Sequence, residues 1–224
     1  IYTLSLHDAL PILVIASLDP DLVIVGGRAA KTYDSVAAAF EGKTILIPGD
    51  RSTSFEERLT TTTDLMSKIF GAADAAAKAL ETYNKDVERV KAKGTTVGKG
   101  LVLMTSGGKV TAFGKGSRFG IIHDQLGIAP AIEDVEAATH GESISFELIS
   151  QANPDWLFVV DRDAAIGDSG QAAKEVLNTD LVTATTAWTK NQVAYLDGQR
   201  WYIIGAGLHN APAMVDEVGK AIGA

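Results

Sequence analysis

Two stretches of this 224-residue chain share one pattern. Residues 18–28 read LDPDLVIVGGR, and residues 152–162 read ANPDWLFVVDR. Each opens on Pro-Asp and runs through an apolar segment. Each carries an arginine eight residues after the proline, Arg28 after Pro20 and Arg162 after Pro154. Short, fully apolar runs bounded by turn residues read as strands buried on both faces, as in parallel sheets. Each stretch then continues through helical sequence into a second strand, TILIP at 44–48 and VAYLD at 193–197. Pro-Asp before a strand is a weak signal, but an arginine at the same offset is a stronger one. In open α/β sheets ligands gather outside the carboxyl ends of strands. The repeat therefore predicts two α/β lobes with an arginine on either wall of a cleft.

The sequence between the repeats fits that layout. Residues 72–93, AADAAAKALETYNKDVERVKAK, set Ala76, Ala79, Leu80, Tyr83, Val87 and Val90 on one helical stripe. Gly71 and Gly94 flank it, and the spacing predicts a long helix acting as a strut between lobes. A second helix is expected over 55–70, with Ser54 as N-cap and Glu57 at the capping-box position. Strands are expected at 101–104, 110–113 and 156–160, with Gly107-Gly108 as a turn. Helices are expected at 34–40, 119–126, 145–151, 171–177 and 211–222. Strands alternating with helices make the fold α/β with largely parallel sheets in two Rossmann-like lobes. The expected division is 1–14 as a non-native or truncated segment, 15–71 as the remainder of an N-terminal lobe, 72–93 as the interlobe helix and 94–224 as the C-terminal lobe. The opening IYTLSLHDALPI lacks Met and a basic segment, so it reads as foreign to the protein.

Composition narrows the function. A net charge of -8 argues against a general binder of nucleic acid or anionic membrane. The absence of cysteine excludes disulfides, thiolate metal sites and cysteine nucleophiles. No serine triad, HExxH, paired carboxylate or redox motif is evident, so nothing argues for an enzyme. FGKGSRFG, at 113–120, has neither P-loop nor GxGxxG spacing. Its glycines are expected to let backbone approach a ligand.

In an acidic protein, three arginines at predicted loop or strand ends, Arg28, Arg118 and Arg162, suggest recognition of a polyanion. His140 lies in the polar loop THGES and Tyr202 in RWYIIGAG. Imidazole and phenol both suit ferric iron whose remaining positions a ligand fills. His123 reads as structural. Phe119 and Trp201 are candidates to pack against aromatic ligand groups.

With these residues in hand, the chain resembles the siderophore-binding proteins of bacterial iron ABC importers, in the branch that takes ferric catecholates. The resemblance runs from about residue 15 to the end. It rests on DPDLVIVGGR, LMSKIFGAADAA, GKGSRFGIIHDQLG, THGESISFELISQANPDWLFVVDRD and VAYLDGQRWYIIGAG. It implies two lobes joined by a long helix, with little hinge motion and an N-lobe incomplete in this chain. It implies no intrinsic cofactor, the ferric iron being carried as a siderophore complex. Arg28, Arg118 and Arg162 would face the anionic complex, and His140 and Tyr202 would fill open iron positions, with Tyr195 as the competing phenol. Glu147, seven residues before Pro154, would dock onto the ABC permease; the same offset before Pro20 falls on Leu13. The resemblance further implies a monomer in the periplasm or on the outer face of the membrane, often lipid-anchored. A haem or corrinoid carrier of the same fold is the alternative. An enzyme or metal-cluster protein on a similar fold should show cysteine ligands or a nucleotide loop, and the sequence has neither.

Overall fold

The computed structural model describes the backbone of residues 6–47, 54–135 and 141–224 and, except at residues 6–11 and 28, their side chains. The chain divides into two compact units, Ile1–Asp50 and Arg51–Ala224.

The first unit holds helix α1 (Leu6–Ser17), strand β1 (Val23–Val25), a 3-10 turn (Gly27–Thr32), helix α2 (Tyr33–Ala39) and strand β2 (Thr44–Leu46). The two strands pair in parallel. Val25, Val36 and Phe40 form its small core, with Ile12, Ile15, Val23 and Tyr33 packed around them.

The second unit begins with helices α3 (Phe55–Ile69) and α4 (Ala73–Gly94). Ser54 caps α3 as its sequence predicts, its hydroxyl accepting from the Glu57 N–H at 3.1 Å. Gly71 ends α3 at a left-handed φ of 63°. That turn lets the Ala72 N–H bond the Ser67 carbonyl at 2.8 Å, closing a Schellman motif. The predicted stripe of α4 is the buried one: Tyr83, Val87 and Val90 enter the core, and α4 packs on α3 and on the C-terminal helix. Gly94 is the last turn of α4 rather than a residue beyond it, and lies against the Leu126 carbonyl where no Cβ would fit.

Strands β3 (Lys99–Ser106) and β4 (Lys109–Phe113) form an antiparallel hairpin. Its turn is Gly107-Gly108, both at positive φ as a two-residue hairpin turn of the favoured twist requires. Helix α5 (Ile121–Asp124), strands β5 (Ala129–Pro130) and β6 (Glu142–Ser143), helix α6 (Phe146–Ala152) and strand β7 (Trp156–Asp161) follow. Then come four one-turn helices, α7 (Arg162–Ala165), α8 (Ala173–Val176), α9 (Asp180–Thr183) and α10 (Thr186–Thr189), before strand β8 (Val193–Leu196). A π-helix (Gln199–Ile204) and helix α11 (Asn210–Ile222) complete the unit. Helix α5 is shorter than the predicted 119–126, because the Gly120 N–H closes a turn onto Ser117 before the helix starts.

The large sheet runs in the order β6-β4-β3-β7-β8, with β5 also on β3. It is mixed: β3 pairs in parallel with β5 and β7, as β7 does with β8, whereas β4 is antiparallel to β3 and β6. Alternate residues divide between two cores. Val102, Met104, Phe158, Val160 and Leu196 face α4 and α11. Leu101, Leu103, Leu157 and Val159 face the one-turn helices.

The repeat seen in sequence recurs in backbone geometry. Asp19 and Asn153, each before its proline, both adopt positive φ, 43° and 41°. Three residues after each proline, Val23 and Leu157 pair with the first residue of their partner strand, Thr44 and Val193. Each also donates its N–H to the residue before that strand, Lys43 at 2.7 Å and Gln192 at 3.0 Å. Arg28 and Arg162 both lie in the first helical turn after their strand.

Candidate functional site

The carboxyl ends of β3 and β7 deliver Ser106 and Arg162 side by side, because the two strands pair in register up to Thr105 and Asp161. Asp161 then starts α7: its Oδ1 accepts from the Ala164 N–H at 3.0 Å and its Oδ2 from the Ala173 N–H at 2.7 Å. This pins the turn that carries Arg162. The Arg162 guanidinium is itself held on two nitrogens. Its Nε donates to Tyr202 Oη at 2.9 Å, and its Nη1 donates to Ser106 Oγ at 3.1 Å and lies 3.4 Å from Asp163 Oδ1. The hydrogen bond to Tyr202 and then the nearby carboxylate push the Arg162 pKa further up, so the group stays cationic.

Tyr202 is positioned by the π-helix. Gly205 N–H bonds the Arg200 carbonyl at 3.0 Å, five residues back, which widens the turn. Such turns recur at functional sites because they redirect consecutive side chains. Here Trp201 points into the core at 1% exposure and donates its Nε1 to Glu217 Oε2 at 2.9 Å. Tyr202 is left half-buried above that core.

Arg118 arrives from the 114–120 loop. Its Nη2 donates to the Tyr202 carbonyl at 2.8 Å, and its guanidinium carbon lies 4.7 Å from the Tyr202 ring centroid. Cation-π geometry of this kind fixes a guanidinium while leaving it charged. The loop glycines are required by the fold of the loop itself. A Cβ at Gly114 would press on the Val135 carbonyl and one at Gly120 on the Asp124 carboxylate, and the Gly116 N–H is bonded to Asp124 Oδ2 at 2.8 Å.

The structure thus brings together Arg118, Arg162 and Tyr202. Arg28 lies in the first unit, in the turn after β1, and its side chain is outside the described residues. His140 is outside them too. Tyr195 sits on β8 with Val193, on the face of the sheet opposite Ala194 and Leu196. Burial raises its pKa. Glu147 stands exposed in the first turn of α6, where its own backbone N–H and then the Ser145 hydroxyl hold its carboxyl below the usual range. Phe119 and Trp201 are not ligand-stacking groups: at 0% and 1% exposure they form the floor beneath Arg118 and Tyr202, packed edge-on at 6.2 Å. His123 is structural, as its place in sequence suggested. It is buried, Nδ1 meets the Ile128 carbonyl at 2.8 Å, and burial lowers its pKa.

Sequence reasoning missed Ser106 and Asp163. Asp163 is 4% exposed and accepts from the Gly107 N–H at 2.6 Å and from Ser106 Oγ at 3.3 Å. The available signal was the triplet Asp161-Arg162-Asp163, an arginine bracketed by carboxylates at a strand end. Among the described residues no three His, Asp or Glu side chains cluster to hold a metal, and no helix is long and apolar enough to cross a membrane.

Residues 6–200 match the family described as periplasmic binding protein. The chain belongs to that family. It is 38% identical over 205 residues to the petrobactin-binding protein YclQ of Bacillus subtilis (strain 168), covering 91% of this chain and 63% of that protein. It is 33% identical over 156 residues to the ferric-anguibactin-binding protein FatB of Vibrio anguillarum, covering 69% of this chain and 48% of that protein. The chain therefore spans less than two thirds of either relative's length. The crystal structure of YclQ superposes with a TM-score of 0.87 at 36% identity, over 95% of this chain and 73% of that one. The periplasmic catecholate-siderophore binding protein VctP from Vibrio cholerae gives 0.84 at 29% identity, over 93% and 74%. The family is one of substrate-binding proteins, and the α/β fold expected from sequence is the fold these neighbours share.

Proposed function

We propose that this chain binds a ferric siderophore of the catecholate class outside the cytoplasm and presents it to an ABC importer permease, without catalysing a reaction. The observation that carries the reading is the Arg118–Tyr202–Arg162 cluster at the carboxyl ends of the strands. Two guanidiniums around one phenol suit a ligand that is at once anionic, aromatic and iron-bearing. The arginines attract the complex and satisfy its catecholate oxygens. The Tyr202 oxygen, already oriented by Arg162, takes a coordination position on the ferric ion that a four-donor siderophore leaves open. The iron is cargo, not a resident cofactor.

Arg28 and His140 join this reading through the resemblance, Arg28 as a third cation and His140 as the second iron ligand. So does the division into an N-terminal lobe, an interlobe helix at 72–93 and a C-terminal lobe, the carrier working as a monomer. Relatives named for petrobactin, ferric anguibactin and a catecholate siderophore support the ligand class. Glu147, exposed on α6, is the acidic contact offered to the permease.

The test is a tryptophan-fluorescence titration with a ferric bis-catecholate. Trp201 neighbours Tyr202 in sequence and is shielded from solvent, so iron bound at Tyr202 quenches it. Saturable quenching by the folded protein is expected. Its absence, with saturable binding of haem or a corrinoid instead, overturns the siderophore assignment.

A further inference from the structure

Asp163 is what the second repeat has and the first lacks. Arg28 is flanked by Gly27 and Ala29, whereas Arg162 is flanked by Asp161 and Asp163. Asp161 is engaged by the backbone N–H groups of Ala164 and Ala173. Asp163 instead lies under the guanidinium, its side chain 6% exposed against 34% for Arg162. Its Oδ1 is 3.4 Å from Arg162 Nη1 and 3.3 Å from Ser106 Oγ, and its Oδ2 accepts from the Gly107 N–H.

A carboxylate this sheltered beside an arginine cancels much of the field that the arginine projects into the site. Arg118 is held differently, stacked on Tyr202 and Phe119. Arg162 Nε and Nη1 are committed to Tyr202, Ser106 and Asp163, while Nη2 keeps its two donors without a partner among the described residues. Arg162 thus offers hydrogen-bond donors with little net charge behind them.

We propose that Asp163 is a specificity-determining residue: by neutralising Arg162 from beneath, it tunes the site towards ferric complexes of low net negative charge. This rests on the siderophore reading above. Iron(III) with two catecholate dianions is singly negative, and with three it is triply negative. Each unit of positive potential removed by Asp163 therefore costs the tris-catecholate three times what it costs the bis-catecholate.

The test compares dissociation constants for a ferric bis-catecholate and a ferric tris-catecholate in wild type, Asp163→Asn and Ser106→Ala, by tryptophan quenching at low salt. The readout is the ratio of the two constants, because a loosened Arg162 weakens the tris-catecholate at least as much as the bis-catecholate and so cannot shift the ratio towards it. Asp163→Asn is expected to shift the ratio towards the tris-catecholate by about tenfold or more, and added salt to shrink the shift. Ser106→Ala breaks the same hydrogen-bonded bridge without changing charge and is expected to keep the wild-type ratio. Asp163→Ser, which retains an acceptor for the Gly107 N–H, is the second variant should Asp163→Asn unfold. A wild-type ratio in a folded Asp163 variant overturns the proposal, as does a failure of both variants to fold, which would make Asp163 a folding residue. Wild type binding neither complex removes the siderophore reading and this inference with it.

Discussion

Arg162 Nε donates to Tyr202 Oη at 2.9 Å, joining a strand end to a π-helix 40 residues further along the chain. Arg118 closes the other side of the same phenol, bonding its backbone carbonyl at 2.8 Å. One tyrosine is therefore fixed at both ends by two cations, and substitutions at the three positions should have separable consequences.

Arg118→Ala removes a guanidinium stacked on Tyr202 and leaves the Tyr202 carbonyl without that donor. Affinity for an anionic ferric catecholate is expected to fall about tenfold or more, roughly 1.4 kcal/mol. Glu147→Ala, on exposed α6, is expected to leave that affinity unchanged. Isothermal titration of both variants checks the pair; equal affinities for wild type and Arg118→Ala would refute charge recognition by this loop.

Tyr202→Phe keeps the ring under Arg118 but removes the acceptor for Arg162 Nε. Binding is expected to weaken about tenfold, and any visible tyrosinate-to-iron absorption should vanish. Tyr195→Phe should change neither, because Tyr195 lies on the face of β8 opposite the core beneath Tyr202. A band lost in the Tyr195 variant and kept in the Tyr202 variant would reverse the assignment.

His123 makes stability fall with acid. Burial lowers its pKa below the ordinary 6.5, outweighing the Ile128 carbonyl and the Asp124 carboxylate, which act the other way. Above about pH 6.5 the ring is neutral folded or unfolded and contributes no slope. As pH drops below that value the unfolded chain binds a proton that the folded protein refuses, so stability declines until the lowered folded pKa is reached. The melting temperature should therefore fall by a few degrees, on the order of 3 °C, between pH 7 and pH 5. His123→Gln should flatten that part of the profile; an unchanged profile would show that His123 is not the titrating group.

Gly94→Ala would drive a Cβ into the Leu126 carbonyl and against Ile128 at the end of α4. Backbone on one side and a buried side chain on the other leave little room to relax. The variant is expected to lose about 2 kcal/mol or more in urea unfolding. Gly71→Ala, at positive φ with open space around it, should cost only about 1 kcal/mol. The reverse order would contradict the packing at Gly94.

Much of the scaffold was legible because it follows from local periodicity. The stripe Tyr83, Val87 and Val90 is buried, Ser54 caps α3, and the Gly107-Gly108 hairpin turns where its glycines predict. The repeat was legible as two strands with matching Pro-Asp and Arg offsets, and the structure adds that both pair with their partner strands at the same position. The antiparallel β4 and β6 were harder to foresee, because strand pairing joins residues far apart in sequence and period-2 patterning is silent on direction. Phe119 and Trp201 were misjudged for a related reason: an aromatic beside a functional residue has the same local signature whether it floors the site or lines it.

Chemical type was already decided in the chain. An acidic protein without cysteine, with arginines at strand ends and a tyrosine in a glycine-flanked aromatic motif, has few chemistries open to it. Folding alone decided which of these groups meet. Side-chain hydrogen bonds such as that from Arg162 to Tyr202 depend on strand register and on one widened helical turn, and so does the shelter of Asp163 beneath them. Register and burial are properties of many distant residues packed together, so a carboxylate one position from an arginine reads as an ordinary neighbour until the sheet closes over it.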